Sequence, residues 1–155
     1  MAGNVAIRRG ENQDAGTIAA FNRAMAWETE EKELDLATVT RGVGRVFEDP
    51  MKGFYLVAEA DGEIVGQLMV TFEWSDWRDG WFWWIQSVYV REDHRRTGIF
   101  RQLFDSAVEQ AKKAGDVVGL RLYVERDNTK AQATYQSLGM YDAGYLVEET
   151  MIIPL

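Results

Sequence analysis

Four arginines, Arg91, Arg95, Arg96 and Arg101, fall within eleven residues of a chain whose formal net charge is −8. They sit in the stretch VYVREDHRRTGIFRQLF, Val88 to Phe104. An extended apolar run, Trp81 to Val90, precedes the turn, and a helical pattern, roughly Phe100 to Lys113, follows it. Strand, basic turn and helix start is an arrangement by which a backbone holds a phosphate. The first amides of a helix have no internal acceptor, and the helix dipole adds partial positive charge there. Gly98 lets the chain turn so that neighbouring amides converge on one anion. Basic side chains at a helix start oppose the dipole, a conflict that a bound anion removes. Arg95, Arg96, Thr97, Gly98, Ile99, Phe100 and Arg101 are therefore the expected anion site. His94 reads as a surface residue of the same turn.

Composition narrows the remaining chemistry. The chain has 155 residues, enough for one domain with a real core, expected over 1–155. It has no cysteine, so disulfides, thiolate catalysis and cysteine-held zinc are excluded. One histidine leaves little room for a histidine-based metal site, and no metal is expected. The acidic balance argues against nucleic acid as the main partner and suits a cationic ligand. There is no run of 18 apolar residues and no signal pattern. A soluble, cytoplasmic chain with no membrane partner is expected.

The elements that must carry the turn can be read in order. Val5 to Arg8 predicts a strand. Asp14 to Thr29 predicts a helix, with Ile18, Phe21 and Met25 at helical spacing and Asp14 as N-cap. Leu34 to Phe47 repeats the pattern until Asp49-Pro50 stops it. Phe54 to Ala60 and Glu63 to Phe72 predict strands joined by Asp61-Gly62, a strong hairpin signal. A polar, aromatic loop is expected from Glu73 to Gly80, EWSDWRDG. Trp81 to Val90 follows as a strand. On it Trp84, Gln86 and Val88 share one face, and Trp83, Ile85, Ser87 and Tyr89 the other. After the pivot helix come a strand, Leu120 to Val124, a helix, Asn128 to Leu138, and a last strand, Tyr145 to Ile152. The order β-α-α-β-β-β-α-β-α-β predicts a mixed sheet in an α+β fold.

This order, with VYVREDHRRTGIF at its centre, resembles the GNAT superfamily of acyl-CoA-dependent N-acetyltransferases. The family signature is Gln or Arg, two residues, Gly, one residue, then Gly or Ala. It falls here on Arg95, Gly98 and Phe100, and the last position departs from the pattern. LYVERDNTKAQATYQSLGM, Leu122 to Met140, is similar to the family's second coenzyme A motif.

The resemblance implies a GNAT-like fold, acetyl-CoA as co-substrate and the pyrophosphate of coenzyme A on the basic turn. It implies that backbone groups around Val88, Tyr89 and Val90 pair with pantetheine like an added strand. It implies Asn128 as a pantetheine contact and Tyr135 as the acid that protonates the departing thiolate. Several family members carry a glutamate base on the central strand. Gln86 stands near that place, and an amide is not a base. Either a carboxylate acting through water, with Glu28 or Glu73 the better suited, takes its place, or the amine arrives already neutral. The acceptor site is expected among Glu28, Glu30, Trp74, Asp76, Trp84 and Gln86, where acids and aromatic faces hold a cation. The reading is transfer of acetyl to a primary amine, a small molecule, by direct attack in a ternary complex. Its rivals are a protein lysine or N-terminal acetyltransferase and a non-catalytic acyl-CoA-binding module. A homodimer is common in the family and is the assembly the resemblance implies.

Overall fold

The computed structural model describes residues 4–153. The chain divides into two compact units, Met1–Arg121 and Leu122–Leu155.

In the first unit, five strands form one sheet in sequence order, β1 (Val5–Arg9), β2 (Phe54–Ala60), β3 (Glu63–Ser75), β4 (Gly80–Val90) and β5 (Val117–Arg121). The first three pairings are antiparallel and β4–β5 is parallel. That is the mixed sheet the element order predicts. Helices α1 (Ala15–Glu30) and α2 (Leu36–Glu48) connect β1 to β2, and α3 (Ile99–Ala114) connects β4 to β5.

Each face of the sheet buries a helical layer. Ile18 and Ala19 of α1 and Val43 and Val46 of α2 pack on Tyr55 and Val57 of β2. Leu56, Leu68 and Val70 alternate onto the opposite face, and all three are fully buried. Ile99 and Leu103 of α3 lie against Gly66, where a Cβ would come within 2.9 Å of the Ile99 side chain. Glycine at 66 is thus what lets α3 sit close to β3. Gly42 and Gly44 do not break α2, because Val43 and Val46 anchor it and Asp35 caps it through the Thr38 amide at 2.9 Å.

Two local expectations change. Asp14 does not cap α1 with its side chain. It closes a 3-10 turn (Asn12–Asp14) instead, accepting from the Glu11 amide at 2.7 Å and from Arg8 at 2.7 Å. The stretch from Glu73 is not a loop. β3 runs on to Ser75 and only residues 76–79 turn, because Trp74 packs edge-on against Trp81 at 5.0 Å and extends the ladder. The Asp61-Gly62 hairpin forms as expected, with both residues at positive φ, 51° and 79°.

The second unit holds α4 (Thr129–Ser137), whose N-terminus the Asn128 side chain caps by accepting from the Ala131 amide at 3.1 Å. The expected strand from Tyr145 to Ile152 is not formed. Alternating apolar residues favour a strand, but a ladder partner makes one, and no described strand pairs with this segment.

Candidate active site

The centre of the site is the outer edge of β4. β5 accompanies β4 only from Trp81 to Trp84, paired with Val117 to Arg121. Beyond Trp84 no described strand pairs with that edge, and its last carbonyl, Val90, accepts from Arg95 at 2.8 Å, so the stretch from Ile85 to Tyr89 is left to an extended ligand on the side away from β3.

A bulge shapes the open stretch. Met69 pairs with Gln86, but Gln67 pairs with Tyr89, so Leu68 opposes both Ser87 and Val88. Ser87 takes the left-handed conformation, φ 50°. The extra residue reverses the alternation of β4. Tyr89 therefore lies on the face of Trp84 and Gln86, not on that of Trp83 and Ile85 as strict alternation predicts. It stacks on Phe21 of α1 at 4.9 Å between ring centroids.

The chain leaves β4 into the basic turn. The Arg91 amide donates to the Val65 carbonyl at 2.8 Å, which anchors the exit. Arg96 and Gly98 both have positive φ, 63° and 82°. Left-handed residues among ordinary ones curl the amides around a concavity, a nest suited to an anion. The first rung of α3 is the Gln102 amide to the Gly98 carbonyl, 3.1 Å, and no side chain caps the helix. The amides of Ile99, Phe100 and Arg101 thus stand ahead of the ladder at the positive end of the dipole. Thr97 ties its hydroxyl to the His94 carbonyl at 2.6 Å. Phe100 packs toward Phe104, ring centroids 6.2 Å apart, so its bulk lies along the helix.

The arginines divide by role. Arg91 is forked onto Asp93 and reaches Glu63 at 3.1 Å, which occupies it within the turn. Arg95 donates through Nε to the Val90 carbonyl at 2.8 Å and through Nη2 to Glu28 at 2.7 Å. Arg96 is exposed, and Arg101 is an exposed partner of Asp105 at 3.8 Å.

Two acidic clusters lie on the face that carries α1 and α2. In one, Glu28 at the end of α1 accepts from Arg95 and from the Tyr89 hydroxyl at 3.2 Å. Burial, and then the nearby Glu28 charge, push the Tyr89 hydroxyl above its ordinary value. In the other, Glu73 of β3 accepts from the Trp84 indole at 2.7 Å and from Arg121 at 3.1 Å. The Arg121 guanidinium stacks 3.6 Å over the Phe82 ring. Between the clusters, Gln86 donates to Thr71 at 2.6 Å.

These clusters do not form one pocket. Glu73 and Gln67, which pairs with Tyr89, are six residues apart on β3, about 20 Å at the usual strand rise. Trp74 lies on the opposite face from Glu73 and Trp84, because neighbours on a strand alternate. Asp76 and Trp77 are exposed in the β3–β4 turn, and Glu30 is exposed beside Lys32. The expected wall of acids and tryptophans is thus spread over two faces and a turn. In the second unit, Tyr135 lies on α4, and burial raises its hydroxyl pKa.

Sequence reasoning passed over Asn22, Gln67, Thr71 and Arg121. Gln67 carried a signal, a lone amide in the apolar run IVGQLMV. Arg121 carried none, since only the parallel register sets it beside Trp84. Among the described residues no three acidic or histidine side chains are grouped to hold a metal, and no helix is long and apolar enough to cross a membrane.

Comparison with known proteins agrees with this architecture. A crystal structure of a possible acetyltransferase from Clostridium difficile 630 superposes with a TM-score of 0.90 at 47% identity, over 97% of this chain and 99% of the other. A predicted acetyltransferase from Clostridium acetobutylicum, solved with acetyl-CoA, shares the fold with a TM-score of 0.79 at 18% identity, over 95% and 96% of the two chains. Mycothiol acetyltransferase from Corynebacterium aurimucosum is 29% identical over 133 residues, 83% of this chain. The chain spans only 43% of the length of that curated relative. Residues 15–140 match the Acetyltransferase (GNAT) family, which takes in α1, the open β4 edge, the nest and α4, and the chain belongs to that family.

Proposed function

We propose that the protein transfers an acetyl group from acetyl-CoA to a primary amine, with both substrates bound together. The observation that carries this reading is the continuity of the open β4 edge with the amide nest at the start of α3. An extended arm can pair with the edge while its pyrophosphate lies in the nest. A strand amide beside the thioester carbonyl would steady the developing oxyanion. The chain has no cysteine to form a thioester intermediate, so the amine attacks acetyl-CoA directly. Much of the rate then comes from holding the two reactants in line.

An amine of lysine type has a pKa of about 10.4 and must lose a proton before it attacks. Gln86 cannot take it. Glu28 is the better placed acid, because Tyr89, its hydrogen-bond donor, belongs to the open stretch. Water would relay the proton. Glu73 is tied to Trp84 and Arg121 and serves the sheet more directly. Tyr135, in the segment similar to the second coenzyme A motif, is the proposed donor to the leaving thiolate, and Asn128 a contact of its arm. The acceptor we propose is a small amine, drawn by the acidic character of the chain.

The test is a panel of amines, with peptides bearing lysine or a free N-terminus, incubated with acetyl-CoA. Thiol release and product mass are measured together. Amine-dependent release is expected, fastest with small amines. Tight acetyl-CoA binding with no release for any member would identify a binding module instead. Faster turnover on the peptides would move the acceptor to protein.

A further inference from the structure

Gln67 is a neutral amide with no exposed surface, in the middle of the apolar strand β3. Its Nε2 donates twice, to Asn22 Oδ1 of α1 at 2.8 Å and to the Ser87 carbonyl at 3.1 Å. Its Oε1 is buried without a hydrogen-bond partner. The assignment of nitrogen and oxygen follows from chemistry, because the Ser87 carbonyl only accepts.

A packed apolar residue at this position would leave no orphaned oxygen. The amide therefore carries a cost of its own, and its second partner points to what it serves. Ser87 is the left-handed residue of the β4 bulge, where the ladder to β3 is interrupted. A partly buried bulge carbonyl that the ladder skips gains from another donor. Gln67 supplies it, and Asn22 fixes the angle of the amide from the helix side.

We propose that Gln67 is a positioning residue that holds the β4 bulge in the register needed to present the Val88–Val90 backbone to acyl-CoA. The inference rests on the proposed acetyl transfer for its purpose, but not for its geometry. The bulge sets two things at once. It puts Tyr89 on the face of α1, where its hydroxyl reaches Glu28. It also fixes how the backbone of the open edge is turned, just ahead of the nest. Without the amide, Ser87 can relax from φ 50° toward ordinary strand geometry. Such a slip moves every later side chain of β4 to the other face.

The test uses Gln67→Met, which keeps the length and removes the hydrogen bonds, and Asn22→Leu, which removes only the outer support. Amide hydrogen exchange at Ser87 to Val90 is read on the ligand-free protein. Acetyl-CoA affinity and turnover are read separately. For Gln67→Met, exchange at these amides should accelerate about tenfold and acetyl-CoA should bind about tenfold more weakly, the scale of one lost hydrogen bond. Its melting temperature should fall modestly, because the Ser87 carbonyl and the Asn22 oxygen lose their donor while the orphaned oxygen of Gln67 goes too. Asn22→Leu should show the same changes at smaller size. A merely structural role predicts a lower melting temperature with parent-like exchange at Ser87 to Val90 and unchanged affinity, and that result would overturn the proposal. If Gln67→Met does not fold, Asn22→Leu decides: parent-like exchange in it refutes the clamp. A parent that binds no acetyl-CoA refutes the proposed function, while exchange still decides the clamp.

Discussion

Arg95, in the turn after β4, and Glu28, at the end of α1, form an ion pair, Nη2 to Oε2 at 2.7 Å. The guanidinium that opens the family signature is thus tied to the acid that ends α1, and through Nε to the carbonyl of Val90. A cation and a carboxylate that are each expected to serve a substrate hold one another. Both are well exposed, so the pair is worth only about 0.2–1 kcal/mol. A pyrophosphate in the nest can compete for Arg95 at that small cost. Glu28 would then keep only its bond from Tyr89.

Glu28→Gln separates these effects. It keeps the shape and removes the charge that restrains Arg95. Acetyl-CoA should bind up to about fivefold tighter, the equivalent of 1 kcal/mol. The gain should shrink at high salt. Turnover should fall by about 10²-fold, the lower end for general base catalysis, with the pH–rate profile displaced upward. Calorimetry at two salt concentrations and a profile from pH 6 to 9 check both parts. Unchanged values in both would remove Glu28 from the site.

Gly98→Val tests the nest. The residue sits at φ 82° and nothing lies within 4 Å of the Cβ position, so the cost is conformational and not steric crowding. A β-branched residue resists this region by about 1–3 kcal/mol. The turn should refold locally, scattering the amides, and acetyl-CoA affinity should drop about tenfold or more. Arg96→Asn is the companion variant, since asparagine tolerates positive φ. It should lose only the share of affinity that salt also removes.

Asp14 gives a prediction about stability. It is buried, forked by Arg8 at 2.7 and 3.1 Å, and accepts from the Glu11 amide. The Arg8 guanidinium holds its carboxyl below the usual range against the opposing effect of burial. A depressed carboxyl stabilises the fold fully above its unfolded pKa of about 3.9 and less as pH falls through its folded value. Asp14→Asn should cost about 2 kcal/mol near pH 7, between an exposed pair and a buried one. The difference from the parent should narrow in urea titrations below about pH 4. A constant difference down to pH 2 would mean that shape, not charge, is what Asp14 supplies.

The parts of this architecture that are local in origin were legible before the fold was seen. Asp61-Gly62 states its hairpin because two positive φ values suit that pair. The basic turn was legible because its residue types conflict with a helix start unless an anion is present. The bulge at Ser87 was not, because it depends on a buried amide one strand away, and it reversed the expected face of Tyr89. Glu73 looked like a loop residue because it is charged beside tryptophans. Its polarity is met by Trp84 and Arg121, which only cross-strand register brings near. The Tyr145–Ile152 pattern was legible as a strand and formed none, since pattern does not supply a partner.

Tyr135 carries the last prediction. Burial raises its hydroxyl above the ordinary tyrosine value of about 10, so it stays protonated across neutral pH. A thiolate of ordinary basicity, about 8.5, is the weaker base of the pair, so proton transfer to it from this phenol is uphill. Such an acid helps only while sulfur is leaving and charge is building on it. Its contribution belongs at the low end of acid catalysis, roughly 10²-fold. Tyr135→Phe should therefore lower turnover by about that factor and leave acetyl-CoA affinity nearly unchanged. The sign of the shift fixes the pH behaviour. The active form is the protonated one, and a raised pKa preserves it to higher pH, so Tyr135 should cause no loss of parent activity below about pH 10. Single-turnover measurements with a verified amine, from pH 6 to 9.5, isolate the chemical step. A variant as fast as the parent in that step would leave Tyr135 as a packing residue of α4.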